Sequence, residues 1–161
     1  MTDLFEQSSQ KLDAAITEIQ HAIATGLANK QRLFETMRQL YGEGSANGAW
    51  SQRDAFDLLE AALTRHMAGL LNKPQMLHQI SEISALIEAL PTHTVRSEDQ
   101  IRFQQFSTPA DLAALCVILA QPLATDIVLE PSAGHGALVA TLPDVSALHI
   151  NEIDPRRHEK L

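Results

Sequence analysis

The sequence predicts an α/β chain: a helical bundle over residues 1–91, a linker over 92–105, and the opening of a parallel β-α-β layer over 106–161. Three observations carry that division. Apolar residues recur three and four apart from Leu4 to Leu90, the period of helices that bury one face. Two short apolar runs, Ile127-Val128-Leu129 and Ala147-Leu148-His149-Ile150, flank the turn Ser132-Ala133-Gly134-His135-Gly136 and a helical stretch. Between the two parts, Thr92 to Gln105 is polar and without period, which reads as a linker or strap.

The helices follow in order. Leu12, Ile16, Ile19 and Ile23 form the first stripe, which Gly26 breaks, and Leu33, Phe34, Met37, Leu40 and Tyr41 form the second, which runs into a glycine-rich loop, 42–48. Ser51 stands three residues before Asp54, the spacing of a capping box, and Phe56, Leu59, Leu63, Met67 and Leu70 share one face beyond it. Asn72-Lys73-Pro74 is a tight connection into Leu77, Ile80, Ile83, Ile87 and Leu90, and Pro91 stops that helix. Thr108-Pro109 with Asp111 predicts a second capping box, with Leu112, Leu115, Cys116 and Leu119 as the buried face of its helix. After the glycine turn a short helix is expected from about Ala137 to Leu142.

Composition narrows the function. Residues 1–95 hold 7 basic against 11 acidic side chains and residues 96–161 hold 5 against 9, so each part carries −4 of the net −8. No basic stripe is present to hold a phosphate backbone. The single cysteine, Cys116, excludes an internal disulfide or a thiolate zinc site and reads as a buried thiol. The N-terminus shows neither a signal peptide nor a membrane span, so cytoplasm is the expected compartment. Nothing in the helical part points to chemistry: His21, His66 and His78 have no partner at metal-ligand spacing, and Trp50 reads as a core anchor. No P-loop is present.

The chemistry is expected at the glycine turn. Strand, glycine turn and helix in that order make a small-molecule loop, because glycine lets the backbone approach a ligand. Glu152, 22 residues after Glu130, falls at the tip of the second strand, where nucleotide-binding units of this kind place a carboxylate that accepts from both ribose hydroxyls. Ile153 beside it is placed to lie against an adenine face. The loop lacks the third glycine of the dinucleotide fingerprint, which favours a ligand without a pyrophosphate over NAD.

Phe106-Ser107-Thr108-Pro109, then Leu129-Glu130-Pro131-Ser132-Ala133-Gly134-His135-Gly136, then Asn151-Glu152-Ile153-Asp154-Pro155 resemble three successive motifs of the class I S-adenosylmethionine-dependent DNA adenine methyltransferases. Gly48-Ala49-Trp50 and Leu90-Pro91-Thr92-His93-Thr94, followed by Arg96-Ser97-Glu98 and the run into Pro109, resemble the N-terminal part of large bacterial and phage proteins of the strawberry notch type, which join a methyltransferase-like domain to a helicase-like ATPase.

The resemblance implies a truncated Rossmann-like domain that binds S-adenosylmethionine. Phe106, Ser107, Thr108 and Pro109 would hold the methionine end. Glu130, Pro131, Ser132, Ala133, Gly134 and Gly136 would line the loop, and Glu152 and Ile153 would take the adenosine, with His135 given no catalytic role. Adenine methyltransferases also carry an Asp/Asn/Ser-Pro-Pro-aromatic motif for the target amino group, and this sequence has no Pro-Pro pair. The expectation is therefore a fragment, inactive alone, that meets DNA through downstream domains and self-associates through an open sheet edge. The alternative is a non-catalytic helical interaction module with a degenerate nucleotide-binding remnant, and an NAD-dependent oxidoreductase fragment ranks third.

Overall fold

The computed structural model describes residues 2–42, 44, 46, 48–71, 76–92 and 106–161. Among them six α-helices accompany one two-stranded sheet: α1 (Thr2–Ala24), α2 (Lys30–Tyr41), α3 (Gln52–Leu71), α4 (Met76–Ala89), α5 (Ala110–Ala120), β1 (Ile127–Glu130), β2 (Ala147–Ile150) and α6 (Pro155–His158). The expected connection at 72–74 and nearly all of the expected linker lie outside the described residues.

Local chemistry sets the helix ends. α1 stops because Gly26 takes φ +69°, a conformation that costs glycine little, and the N–H groups of Gly26 and Leu27 then close back on the carbonyls of Ile23 and Ala22. Asn29 caps α2 by accepting from the Arg32 N–H. At α3 the expected capping box forms: the Ser51 N–H donates to the Asp54 carboxylate at 2.8 Å and the Asp54 N–H to the Ser51 hydroxyl at 3.2 Å.

The main core lies between α1, α2 and α3. Ile16, Ile19, Ile23, Leu33, Met37 and Leu58 are each at most 2% exposed, and each such burial stabilises by about 1.5–3 kcal/mol. Trp50 is 4% exposed with its ring 5.5 Å from that of Phe34, the anchor role its position predicted. Ala55, Leu58, Leu59, Ala61 and Ala62 are all buried, so α3 is central and covered on several sides.

A smaller cluster of Met67, Ile83, Ala110 and Ala114 fastens α5 onto α3 and α4, across the boundary expected at 92–105. Here the structure corrects the sequence reading. The buried face of α5 is the small one, Ala110, Ala113, Ala114 and Val117, while Leu112 and Leu119 are 51% and 73% exposed and Cys116 is an exposed thiol. Small side chains let two helix backbones approach, and α5 is apolar nearly all round, so its period could not choose a face. The second capping box is also absent: Pro109 is itself the N-cap, without a side-chain bond, and Asp111 accepts instead from the Ser84 hydroxyl at 2.8 Å.

The strands pair in parallel, Ile127 with Ala147 through Glu130 with Ile150. A mixed α/β class therefore holds. The crossover between them is a series of turns ending in a 3-10 turn, Val139–Thr141, in place of the expected helix at Ala137 to Leu142. Pro143 follows too closely for α-helical turns to accumulate. Ile127, Leu129, Leu148 and Ile150 remain 70%, 69%, 43% and 45% exposed, so neither face of this sheet is fully covered among the described residues. No helix among them is long and apolar enough to cross a membrane.

Candidate functional site

The turn after β1 and the acid after β2 meet at the carboxyl ends of the two strands. The ladder continues beyond them, the Asn151 N–H donating to the Glu130 carbonyl and the Ala133 N–H to the Asn151 carbonyl, both at 2.9 Å. Glu152 folds back over the turn. Its Oε2 accepts from the Gly134 N–H at 2.8 Å and its Oε1 from the Asp154 N–H at 2.8 Å. Glu130 turns in the same way, accepting from the Ser132 N–H at 2.8 Å. Gly136 donates to the Ala133 carbonyl, so the amides at 132, 133, 134 and 136 all have acceptors within the protein.

Both glycines are required by backbone conformation. Gly134 has φ +60° and Gly136 φ +80°, where side chains are strained. A Cβ at Gly136 would lie 3.1 Å from Leu161 and 3.3 Å from Val139, so the close approach there is to the protein's own side chains.

The turn rests on α3. Arg53, Asp57, Glu60 and Thr64 stand at intervals of four, three and four, one polar stripe on a helix otherwise buried by apolar groups. The Arg53 guanidinium meets the Asp154 carboxylate at 2.7 Å with both side chains at most 5% exposed. Asp154 also caps α6, accepting from the Arg156 N–H, with Pro155 in the first helical turn. Arg157, buried at 3%, reaches Asp57 at 3.5 Å and Glu60 at 4.0 Å. His135 is buried too, its Nε2 3.7 Å from Asp57 Oδ1 and its Nδ1 2.8 Å from Glu60 Oε2.

That same Glu60 oxygen accepts from the Ser107 hydroxyl. Burial alone would raise the Glu60 carboxyl, but the hydrogen bond and charge of His135, aided by Ser107 and Arg157, outweigh it and hold the group below its ordinary value. Asp57, Glu60 and His135 each offer a ligand atom within 4.8 Å of the others, a set that could hold a metal ion. Arg53 and Arg157 already supply cations to these carboxylates, so the cluster is an ion-pair network and not a built cation site.

Of the residues singled out in the sequence, the structure joins Ser107 to the turn through Glu60, Glu152 to Gly134, and Glu130 to Ser132. Ala133 is buried, and Thr108, Pro109, Pro131 and Ser132 lie at the surface. Phe106 and Ile153 are 60% and 70% exposed. The sequence reading missed Arg53, Asp57 and Glu60, having found no chemistry in the helical part, and gave His135 no role. The missed signal was the polar stripe at helical spacing on the central helix α3, whose other faces are largely buried. Comparison with protein-family models, curated proteins and solved structures finds no match to this chain.

Proposed function

We propose that residues 106–161 form the methyl-donor-binding half of an S-adenosylmethionine-dependent DNA adenine methyltransferase, in a protein of the methylase–helicase type, with the helical residues packed beneath it. The observation that carries this reading is the Glu152 carboxylate bonded at 2.8 Å to the Gly134 N–H, across the carboxyl ends of two parallel strands, the position where open α/β sheets bind nucleosides. Both Glu152 oxygens keep a second lone pair, which suits them to ribose hydroxyls.

Four of the turn's amides, at 132, 133, 134 and 136, already have acceptors and Glu130, Glu152 and Glu60 surround the turn, so a phosphate finds few donors while a ligand with an ammonium group finds acceptors. This favours S-adenosylmethionine over NAD. DNA would be held by other parts of the protein, because a net charge of −8 offers no attraction to its backbone. Methyl transfer would likewise need a Pro-Pro-aromatic motif that these residues do not contain.

Calorimetric titration tests the reading. S-adenosylmethionine is expected to bind and NAD not, and Glu152→Ala is expected to weaken binding about tenfold or more, the scale of one lost hydrogen bond to a charged group. Absence of binding by S-adenosylmethionine to a chain with native circular dichroism, or equal affinity in Glu152→Ala, would overturn it. The exposure of Leu112, Leu119, Leu123, Ile127 and Leu129 favours a second reading, a non-catalytic module that self-associates through the sheet and α5. A mass that rises with concentration in sedimentation, together with no nucleoside binding, would select it.

A further inference from the structure

Glu60 lies in the helical part, 47 residues before Ser107 and 75 before His135, yet one of its carboxylate oxygens meets both. We infer that Glu60 is a positioning residue that couples the Ser107-Thr108-Pro109 segment to the glycine turn, so that the helical bundle sets the geometry of the ligand site. The inference rests on the functional reading above for its ligand, but the coupling itself is a property of the chain.

The geometry leaves little freedom. The His135 side chain is 2% exposed and seated 2.8 Å from Glu60 Oε2, so the oxygen is fixed from the turn's side. Arg157, itself buried, stands 4.0 Å from the same oxygen and opposes its swing toward solvent. Ser107 then donates to an acceptor whose position the turn has set, and it lies two residues before the N-cap of α5. A displacement of the turn is thereby passed to the segment at 106–109, and the reverse. A carboxylate oxygen can accept both bonds at once because it carries two lone pairs, which neither an alanine nor an apolar side chain at this place could supply. The Glu60 side chain is half-buried, and the groups it meets there are the Ser107 hydroxyl, the His135 ring and the Arg157 guanidinium.

The test uses the whole chain as wild type, Glu60→Ala and Glu60→Gln. Amide hydrogen exchange is expected to quicken about fivefold in Glu60→Ala, the ratio that one ordinary hydrogen bond corresponds to, and to do so at both 106–110 and 133–137 while α1 and α2 are unchanged. S-adenosylmethionine affinity is expected to fall about tenfold in parallel, on the same hydrogen-bond scale. Glu60→Gln, whose amide oxygen accepts the same two bonds, should restore both to within about twofold. Faster exchange at only one segment, at neither, or uniformly along the chain overturns the coupling. So does an alanine variant that binds as tightly as wild type. If the wild type binds no S-adenosylmethionine, the functional reading fails and exchange alone decides the coupling. If Glu60→Ala does not fold, Ser107→Ala replaces it, and unchanged exchange at 133–137 in that variant overturns the inference.

Discussion

In the bundle, Ile16, Ile19, Ile23, Leu33 and Met37 are at most 2% exposed, whereas in the sheet Ile127 and Leu129 are 70% and 69% exposed and what is buried nearby is Arg53, Asp57, Asp154 and Arg157. The two regions are held by different physics. Apolar burial is non-directional and tolerates small shifts, so α1, α2 and α3 can settle wherever their stripes meet. Ion pairs out of water stabilise only when each charge keeps its partner, so the junction between α3 and α6 is fixed in geometry and intolerant of loss. A turn built on the second kind of contact is positioned more narrowly than burial alone would allow.

The strongest way to break that comparison is to remove one charge from the junction. Arg53→Ala leaves Asp154 and Asp57 buried without the guanidinium at 2.7 Å and 3.6 Å, and is expected to cost about 3–5 kcal/mol in urea unfolding. A cost near zero would show that water or Arg156 and Arg157 replace it, and the junction would then be ordinary surface. Ile23→Ala in the bundle should cost slightly less, about 3 kcal/mol, by lost transfer and a residual cavity. The two differ in kind as well. Ile23→Ala should leave exchange at 133–137 in step with global stability, while Arg53→Ala should loosen those amides beyond it. Equal patterns would erase the distinction between the regions.

Which parts could be read from the sequence follows the same division. The stripes through Leu12 to Ile23 and through Phe56 to Met67, the break at Gly26 and the capping box at Ser51 and Asp54 are local in chain and period, and the structure contains them. The parallel pairing of β1 and β2 was legible from the two apolar runs. α5 was not, because a helix apolar on every side carries no phase, and the choice of Ala110, Ala113, Ala114 and Val117 depends on how closely α4 approaches. Thr108 and Asp111 match a capping box in spacing, but Ser84 of α4 takes the carboxylate, a competitor far away in the chain. The stripe of Arg53, Asp57 and Glu60 was passed over because its partners, His135, Asp154 and Arg157, come 75 to 101 positions later. The stripe has helical spacing, but its period does not say which distant charges will meet it.

The smallest expected effect separates the regions by pH. His66, on α3, is lowered from its ordinary 6.5 by burial, so the folded state favours its neutral form and loses stability as pH falls below that value. Glu60 is lowered from its ordinary 4.5 despite burial, through His135, Ser107 and Arg157. A group depressed in the folded state contributes stability that is whole above its unfolded value and is lost as pH falls through the folded one, so Glu60 acts only below about pH 4.5. Urea midpoints measured between pH 7 and pH 3 should therefore decline in two stages, His66→Gln removing the upper and Glu60→Gln the lower. The lower stage should coincide with reduced protection, taken relative to the intrinsic exchange rate at each pH, at 106–110 and 133–137, because protonating Glu60 weakens the bonds to Ser107 and His135 together. A Glu60→Gln chain that keeps the full acid decline would assign it to the other junction carboxylates and detach Glu60 from the stability of the turn.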